Sequence, residues 1–280
     1  MAKSFSFSKN EYTPLIRIYT MLPLIKWSGG KRDEIKHFAR YIPEFTTYIE
    51  PFIGGGAVYF HLNPQKAVIA DVHEDLIALY RSIAEGHAND IVAFMDAHPN
   101  TEEEYYKVRD AFVPTTDLER ACKFYYERKT CYRGMLRYNK KGEFNIPFGR
   151  YKTVQCEELK NPAYETLLQR TTICKSSFET IFATYNDPSN FVFLDPPYDS
   201  TFTDYGYCSF TKDHHLRLAE CFKTTRNKCL MVIGKTPFIE ELYKDYIVDA
   251  FDKKYAFKLH SGRVGDEINT KHLIIANYSI

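Results

Sequence analysis

Six short runs rich in apolar and β-branched residues recur along this chain, and their spacing restricts the fold more than any other feature. They cover residues 46–50, 67–71, 171–175, 191–194, 228–233 and 273–278. Each has the length of a strand, and the gaps between the later ones suit the crossover helices that parallel neighbours need. The expected fold class is therefore α/β, a mainly parallel sheet covered by helices on both faces. Between the second and third runs the rhythm changes. Helices are expected at Asp75–Ala84 and Asp117–Thr130, then strands on either side of the turn Asn139-Lys140-Lys141-Gly142. Residues 76–159 read as a separate module that splits one larger domain into 21–75 and 160–280, with 1–20 as an N-terminal extension of no clear period.

The fourth run, Phe191-Val192-Phe193-Leu194, ends in Asp195-Pro196-Pro197-Tyr198. Both prolines lack an N–H and have a restricted φ, so the turn is stiff and its carbonyls stay free to accept. A carboxylate, a fixed carbonyl and an aromatic face at the end of a buried strand suit methyl transfer to an amino group on a flat base. The exocyclic amine of adenine is a poor nucleophile because its lone pair is delocalised into the ring. Acceptors on its hydrogens favour the pyramidal geometry that attack needs, while the ring of Tyr198 stacks on the base. A strand followed by a plain Pro-Pro turn is the alternative for this segment taken alone.

Upstream, the first run leads into Pro51-Phe52-Ile53-Gly54-Gly55-Gly56, and the second ends in Asp71, 17 positions beyond Gly54. Glycines let a backbone turn tightly and approach a ligand closely, and an acid at the end of the next strand can bind ribose hydroxyls. Strand, glycine loop, helix, strand and acid, in that order, point to an adenosine-containing ligand. Earlier still, Leu24-Ile25-Lys26-Trp27-Ser28-Gly29-Gly30-Lys31 carries the only tryptophan. Its face can hold a cation such as a sulfonium, and the lysine can neutralise a carboxylate. A Trp half-buried beside a turn is the plainer alternative.

Together these residues resemble the Dam-like family of adenine-N6 DNA methyltransferases, the D12 class, in which KWxGGK, EPFxGxG, a recognition domain and DPPY follow one another. The resemblance runs from Pro23 to Tyr278, and after the tetrapeptide its most specific stretch is Leu136–Tyr151, LRYNKKGEFNIPFGRY. Members that modify adenine in GATC carry a nearly identical segment, and members with other GA-containing targets carry similar ones. The resemblance implies a Rossmann-like, S-adenosylmethionine-dependent methyltransferase domain interrupted by a mostly helical DNA-recognition insertion bearing a β-hairpin. It assigns catalysis to Asp195, Pro196, Pro197 and Tyr198. It assigns S-adenosylmethionine to Trp27, Lys31, Phe52, Gly54, Gly56, Asp71 and Asp195, and double-stranded DNA to Lys26, Arg133, Met135, Arg137, Asn139, Lys140, Lys141, Pro147 and Tyr151. The expected substrate is an adenine in a short duplex site containing GA, with GATC the leading candidate, everted before transfer because a stacked base cannot present its amine. No metal is required. A cognate restriction endonuclease acting on the same site fits such an enzyme, as does the cytoplasm of a prokaryotic or virus-infected cell.

Two departures from the family pattern stand out. Arg133-Gly134-Met135 replaces the Asn-Gly-Leu common in GATC readers, and Ile233-Gly234-Lys235 replaces a frequent Ile-Ser-Asn. The competing readings are a catalytically inactive sequence-specific DNA-binding protein, an RNA methyltransferase, whose tetrapeptide usually begins with Asn, and a cytosine-N4 methyltransferase, in which it usually begins with Ser.

The net charge of +1 over 280 residues argues weakly against a nucleic-acid partner, but residues 120–152 hold ten Lys or Arg against two Glu, a local excess of +8. Aromatic residues from Phe124 to Phe148 interleave with these cations, as on surfaces that neutralise phosphates; a charged face packed on an aromatic core is the other explanation. Seven cysteines with no CxxC pair, and no N-terminal signal pattern, indicate a reducing interior. Cys131 reads as a free buried thiol. His73-Glu74-Asp75 and His214-His215 lack metal-ligand spacing and read as solvated helix starts. No run reaches the roughly 18 apolar residues of a membrane span. The polar segment Thr201–Phe210 reads as a lid over the target base or as an ordinary loop.

Overall fold

Residues 47–50 form the strand from which the sheet is laid out in both directions. The computed structural model describes residues 21–199, 209–254 and 269–280. In chain order its elements are α1 (Ile35–Phe38), β1 (Thr47–Glu50), α2 (Ala57–Leu62), β2 (Ala67–Asp71), α3 (Glu74–Ala84), α4 (Ala88–Ala97), α5 (Glu102–Tyr106) and α6 (Asp117–Thr130). There follow α7 (Pro162–Gln169), β3 (Thr171–Lys175), α8 (Phe178–Thr184), β4 (Asn190–Leu194), α9 (Lys212–Thr224), β5 (Lys228–Gly234), α10 (Pro237–Leu242), β6 (Ile247–Lys254) and β7 (Asn269–Ala276).

The strand order is β3-β2-β1-β4-β5-β7-β6. The first five strands of the chain run parallel, while β7 is antiparallel to both β5 and β6. From β1 the chain moves outward to β2 and β3, then returns to place β4 on the other side of β1. That reversal is a topological switch point, where open α/β sheets leave a crevice at the carboxyl ends of adjacent strands. The glycine loop after β1 and the tetrapeptide after β4 flank this crevice, because β1 and β4 are neighbours in register at Ile49 and Val192.

Alternate residues of each strand feed two cores, as the period of a strand dictates. Tyr48, Ile69, Phe191, Phe193, Leu230 and Ile274 pack on one face. Ile49, Val68, Val192, Leu194, Met231 and Ile275 pack on the other, beneath α8, α9 and α10. Helix α3 lies over the first face because Leu76, Leu79, Tyr80 and Ile83 are buried at helical spacing, with Glu74 and Asp75 in its first turn. It also packs against α6, which begins in a capping box of Thr116 and Glu119.

Several expectations need correction. The last strand is antiparallel and spans Asn269–Ala276, and its partner β6 was not expected at all. The turn at Asn139–Gly142 closes as expected, but its arms pair through a single bridge, Tyr138 to Phe144, and form no strand. Arg137 and Asn145 extend that pairing by one 3.1 Å bond, and Pro147, which has no N–H, cannot prolong it. His73 and His215 do sit at helix starts, yet neither is solvated: they are 5% and 1% exposed, on α3 and α9. Cys131 is buried and free, with burial pushing its thiol up to about 11. The extension 1–20 and most of the candidate lid, residues 201–208, lie outside the described residues.

Candidate active site

Three strand ends and one loop converge on a cavity of about 460 Å³, a size suited to a nucleoside-containing ligand. Its wall includes Trp27, the Gly54–Gly56 loop, Asp71, Val72, Phe178, Asp195 and Tyr198. The glycine triplet is explained first by packing. A Cβ on Gly54 would come within 2.6 Å of Trp27 Nε1, and one on Gly55 within 2.9 Å of Trp27 Cβ. Gly54 and Gly56 also have φ of 45° and 68°, in the left-handed region that side chains disfavour. The loop therefore bends where Trp27 lies on it, and the half-buried indole forms one side of the cavity.

Asp71 closes β2 and is nearly buried. Its carboxylate accepts from Gly54 N at 3.1 Å and His73 N at 3.0 Å. Burial outweighs these bonds and raises the carboxyl to about 6. Phe52 is half-buried and meets Phe178 at 5.6 Å and Phe210 at 5.7 Å between ring centroids.

Opposite, Lys31 binds the tetrapeptide. Its ammonium, on a side chain only 1% exposed, donates to Asp195 Oδ1 at 2.5 Å, Tyr198 OH at 2.8 Å and Gly29 O at 2.9 Å. A lysine has three donors, and all are used here. Burial raises the Asp195 carboxyl, and the charge and hydrogen bond of Lys31 pull it back only in part. Beneath lies a second set of charges that the sequence did not suggest. Glu34 accepts from His272 Nδ1 at 2.8 Å and Lys253 Nζ at 2.6 Å. Burial alone would raise its carboxyl, but His272, Lys31 and Lys253 together hold it at about 2. Glu50 is buried beside Asp195, accepts from Tyr48 OH at 2.7 Å and is pushed well up by burial. His272 meets the Tyr198 ring edge-on at 5.4 Å.

The two departures from the family pattern have structural counterparts. Gly234 faces Tyr198, and a Cβ there would stand 3.5 Å from the ring, an ordinary contact. Lys235 turns away to pair with Glu240 at 2.6 Å. Arg133 is exposed with φ 58°, and its guanidinium lies 5.4 Å above the Tyr132 ring.

The DNA candidates form two groups. Lys26, Arg133, Met135 and Tyr151 gather at the mouth of a second cleft or beside it: Lys26 sits 5.6 Å over the Tyr151 ring and its stem packs on Gly134. Arg137, Asn139, Lys140 and Lys141 belong to the turn, with Pro147 exposed just past it. Arg137 is exposed, and its Nε donates to Asn145 Oδ1 at 2.8 Å and its Nη2 to Asn145 O at 3.3 Å. Asn139 uses its amide within the turn, accepting from Lys141 N and Glu143 N and donating to Glu143.

Part of the basic block is internal. Arg128, 2% exposed, donates to the carbonyls of Lys26 at 2.5 Å, Gly134 and Met135. Lys123 binds the carbonyls of Arg109 and Phe112, Arg120 pairs with Asp75, and Lys129 pairs with Glu158. Four cations of the block are thus committed within the protein, and the other six are exposed.

Residues 27–259 match the family described as D12 class N6 adenine-specific DNA methyltransferase. The chain belongs to this family. The type II methyltransferase M.CviBI of Paramecium bursaria Chlorella virus NC1A is 59% identical over 261 residues, 92% of this chain and 100% of the relative. The type II methyltransferase M1.LlaDCHI of Lactococcus lactis subsp. cremoris is 32% identical over 274 residues, 91% of this chain and 95% of the relative. The DNA adenine methylase of Escherichia coli K12 is 33% identical over 205 residues, 70% of this chain and 73% of the relative. This methyltransferase is therefore adenine-specific, acts on DNA and takes its methyl group from S-adenosylmethionine. Among the described residues no helix is long and apolar enough to cross a membrane.

Several lining residues escaped the sequence reading, Val72, Ser177 and Phe178 among them. Val72 is 47% exposed although apolar, and Ser177 and Phe178 follow β3. The signal for Val72 was its position directly after the acid that ends β2; nothing local marks the other two.

Proposed function

We propose that this methyltransferase modifies the N6 amine of an everted adenine within a short duplex site containing GA, with GATC the leading candidate. The observation that carries the reading is the sharing of one cavity by Asp71, the glycine loop and the Lys31-bound tetrapeptide. The cavity fits the cofactor: a buried acid at the end of β2 offers acceptors for ribose hydroxyls, and Trp27 offers a face for a cation. Trp27, Phe52, Gly54, Gly56 and Asp71 would hold S-adenosylmethionine, with Lys31 and Asp195 closing the far end. When bound, it supplies an electrophilic methyl group on a sulfonium.

The protein's part is to present the amine. Asp195 and the Pro196 carbonyl accept the two amino hydrogens, Pro197 keeps the turn rigid, and Tyr198 stacks on the base. Lys31 keeps Asp195 ionised despite its burial, so that the carboxylate can accept. Positioning supplies much of the acceleration. Residues 76–159 act as the target-recognition module inserted into a catalytic domain of 21–75 and 160–280. Arg137 reads guanine through O6 and N7, and Lys26, Arg133, Lys140, Lys141 and Tyr151 meet the backbone or flanking bases, with Met135 and Pro147 against the groove and Asn139 shaping the turn. The type II names of two relatives support a place beside an endonuclease of the same specificity, in the cytoplasm where DNA is met.

The test is to incubate DNA with the purified protein and S-adenosylmethionine and to sequence the methylated adenines. Sites containing GA are expected, and methylation confined to sites without GA would refute the target. Asp195→Ala is expected to slow transfer by about two to three orders of magnitude, the loss typical of one oriented group in an enclosed site. Near-normal turnover in that variant would refute the mechanism.

A further inference from the structure

His73 occupies a position where its residue type is a poor choice for the local task. It is the N-cap of α3, and its Nδ1 accepts from Leu76 N at 3.3 Å. Asn, Asp and Ser cap helices better because their short side chains reach the same amide without burying a ring. What the imidazole adds is reach. With Nδ1 accepting, a neutral ring carries its proton on Nε2, and Nε2 lies 2.7 Å from the hydroxyl of Tyr138. Burial, with the nearby Arg128 charge, pushes the ring down to about 3, so it stays a neutral donor at working pH.

Two further contacts of His73 are with residues of the cofactor cavity. Its backbone N–H donates to Asp71 Oδ1 at 3.0 Å, and its ring meets Trp27 edge-on at 5.9 Å. Phe124 of α6 packs on it at 5.2 Å. Tyr138, for its part, is the bridge partner of Phe144 at the base of the turn, between Arg137 and Asn139. One residue, 5% exposed, therefore touches Asp71 through its backbone N–H and, through its ring, both Trp27 and the tyrosine that anchors the turn carrying Arg137.

We propose that His73 is a positioning residue that couples occupancy of the cofactor cavity to the DNA-reading turn through Tyr138. The inference rests on the cofactor and DNA sites given above. A ligand that shifts Asp71 or Trp27 changes where His73 holds Tyr138, and a duplex that draws on the turn changes Asp71 and Trp27 in return, since such coupling is reciprocal.

The experiment measures affinity for S-adenosylhomocysteine, which cannot react, by calorimetry with and without a duplex carrying the site the protein methylates. In the wild type the duplex is expected to change that affinity about fivefold or more, the lower end of ordinary coupling. His73→Asn keeps the cap but is too short to reach Tyr138, and Tyr138→Phe keeps the ring but loses the hydroxyl. Each is expected to reduce the effect to under about twofold, and the double variant to reduce it no further, because both remove the same bond. Wild-type coupling in both single variants, or no coupling in the wild type, overturns the proposal. If His73→Asn fails to fold, Tyr138→Phe decides alone. Asp71→Ala tests the underlying placement separately: unchanged S-adenosylhomocysteine affinity there would refute the cofactor site itself.

Discussion

Replacing Lys31 by Met should separate the charge of the buried ammonium from its bulk, because Met keeps most of the stem and removes the donor. Asp195 then remains in its cavity without its ion-pair partner, beside the carboxylate of Glu34 and with only the weaker influence of His272 in its favour. Its escape is to take up a proton. Protonating an ordinary aspartate at pH 7 costs about 4 kcal/mol, from a reference near 3.9 at about 1.4 kcal/mol for each unit. That figure caps the electrostatic damage, since any larger penalty is avoided by neutralisation. Recovery of the cost of burying Lys31 reduces it further, so a net loss of about 1–3 kcal/mol is expected, below the 3–5 typical of breaking a fully buried pair. For a chain of this size that is a melting point lower by several degrees, with the fold retained. Activity should suffer more. A protonated Asp195 no longer accepts as a carboxylate, and single-turnover transfer at neutral pH should fall by about 100-fold or more. The distinguishing feature is its direction with pH: the variant should regain rate as pH rises and Asp195 ionises, whereas the wild type should be flat there. A uniform loss at every pH, or a wild-type rate at pH 7, would refute the argument that Lys31 works through the charge of Asp195.

Asp71 titrates at about 6 because burial outweighs its bonds from His73 and Gly54. With Asp71 as the proposed acceptor for the ribose hydroxyls in its ionised form, S-adenosylhomocysteine affinity should weaken as pH falls through about 6, and Asp71→Asn should be weaker and nearly independent of pH; a parallel pH dependence in both would exclude Asp71 as its source. Arg137→Ala should relax discrimination at one base pair by about 1–3 kcal/mol, read from kinetics on single-base variants of the site, with equal loss at every position making it a phosphate contact instead. Lys141→Ala should weaken all sites alike and flatten the salt dependence of binding by about 0.9 in log–log slope, the share of one phosphate; an unchanged slope would remove it from the backbone.

The sheet was legible because its central strands are buried on both faces and so must be apolar at nearly every position. Residues 67–71 form a strand at the expected bounds, and β4 and β5 differ by a single residue at one end; β3 also keeps its expected bounds, 171–175, although it is an edge strand and only partly buried. Strand β6 was hidden for the converse reason. Its sequence, IVDAFDKK, lies at the sheet edge, where one side needs no partner and charges are tolerated. The direction of β7 was equally hidden, since an apolar run carries no sign of whether its neighbour is parallel. At the site, the strand-end motifs carried the information, because a switch point gathers the carboxyl ends of adjacent strands whatever their separation in sequence. Glu34 and His272 carried none. They are 238 positions apart, and only the fold makes a buried pair of them.

The basic block shows where reading charge from composition stops working. A cation near DNA and a cation buried under a loop look alike in a count, yet they have opposite needs. Arg128 is buried because three carbonyls surround its guanidinium, and those carbonyls belong to the tryptophan loop and to the segment that presents Arg133. Its charge is spent on holding these two segments together, which leaves it unavailable for contact with phosphate. Arg120, Lys123 and Lys129 are committed in the same way. The exposed cations of the block are Arg133, Arg137, Lys140, Lys141, Arg150 and Lys152. If these alone meet phosphates, its contribution to the log–log salt dependence of binding cannot be steeper than about −5.4, against about −9 if every cation did. The same division separates net charge from local charge: within the block four cations are spent holding loops and helices in place, and the other six are exposed on the turn and the segments that flank it.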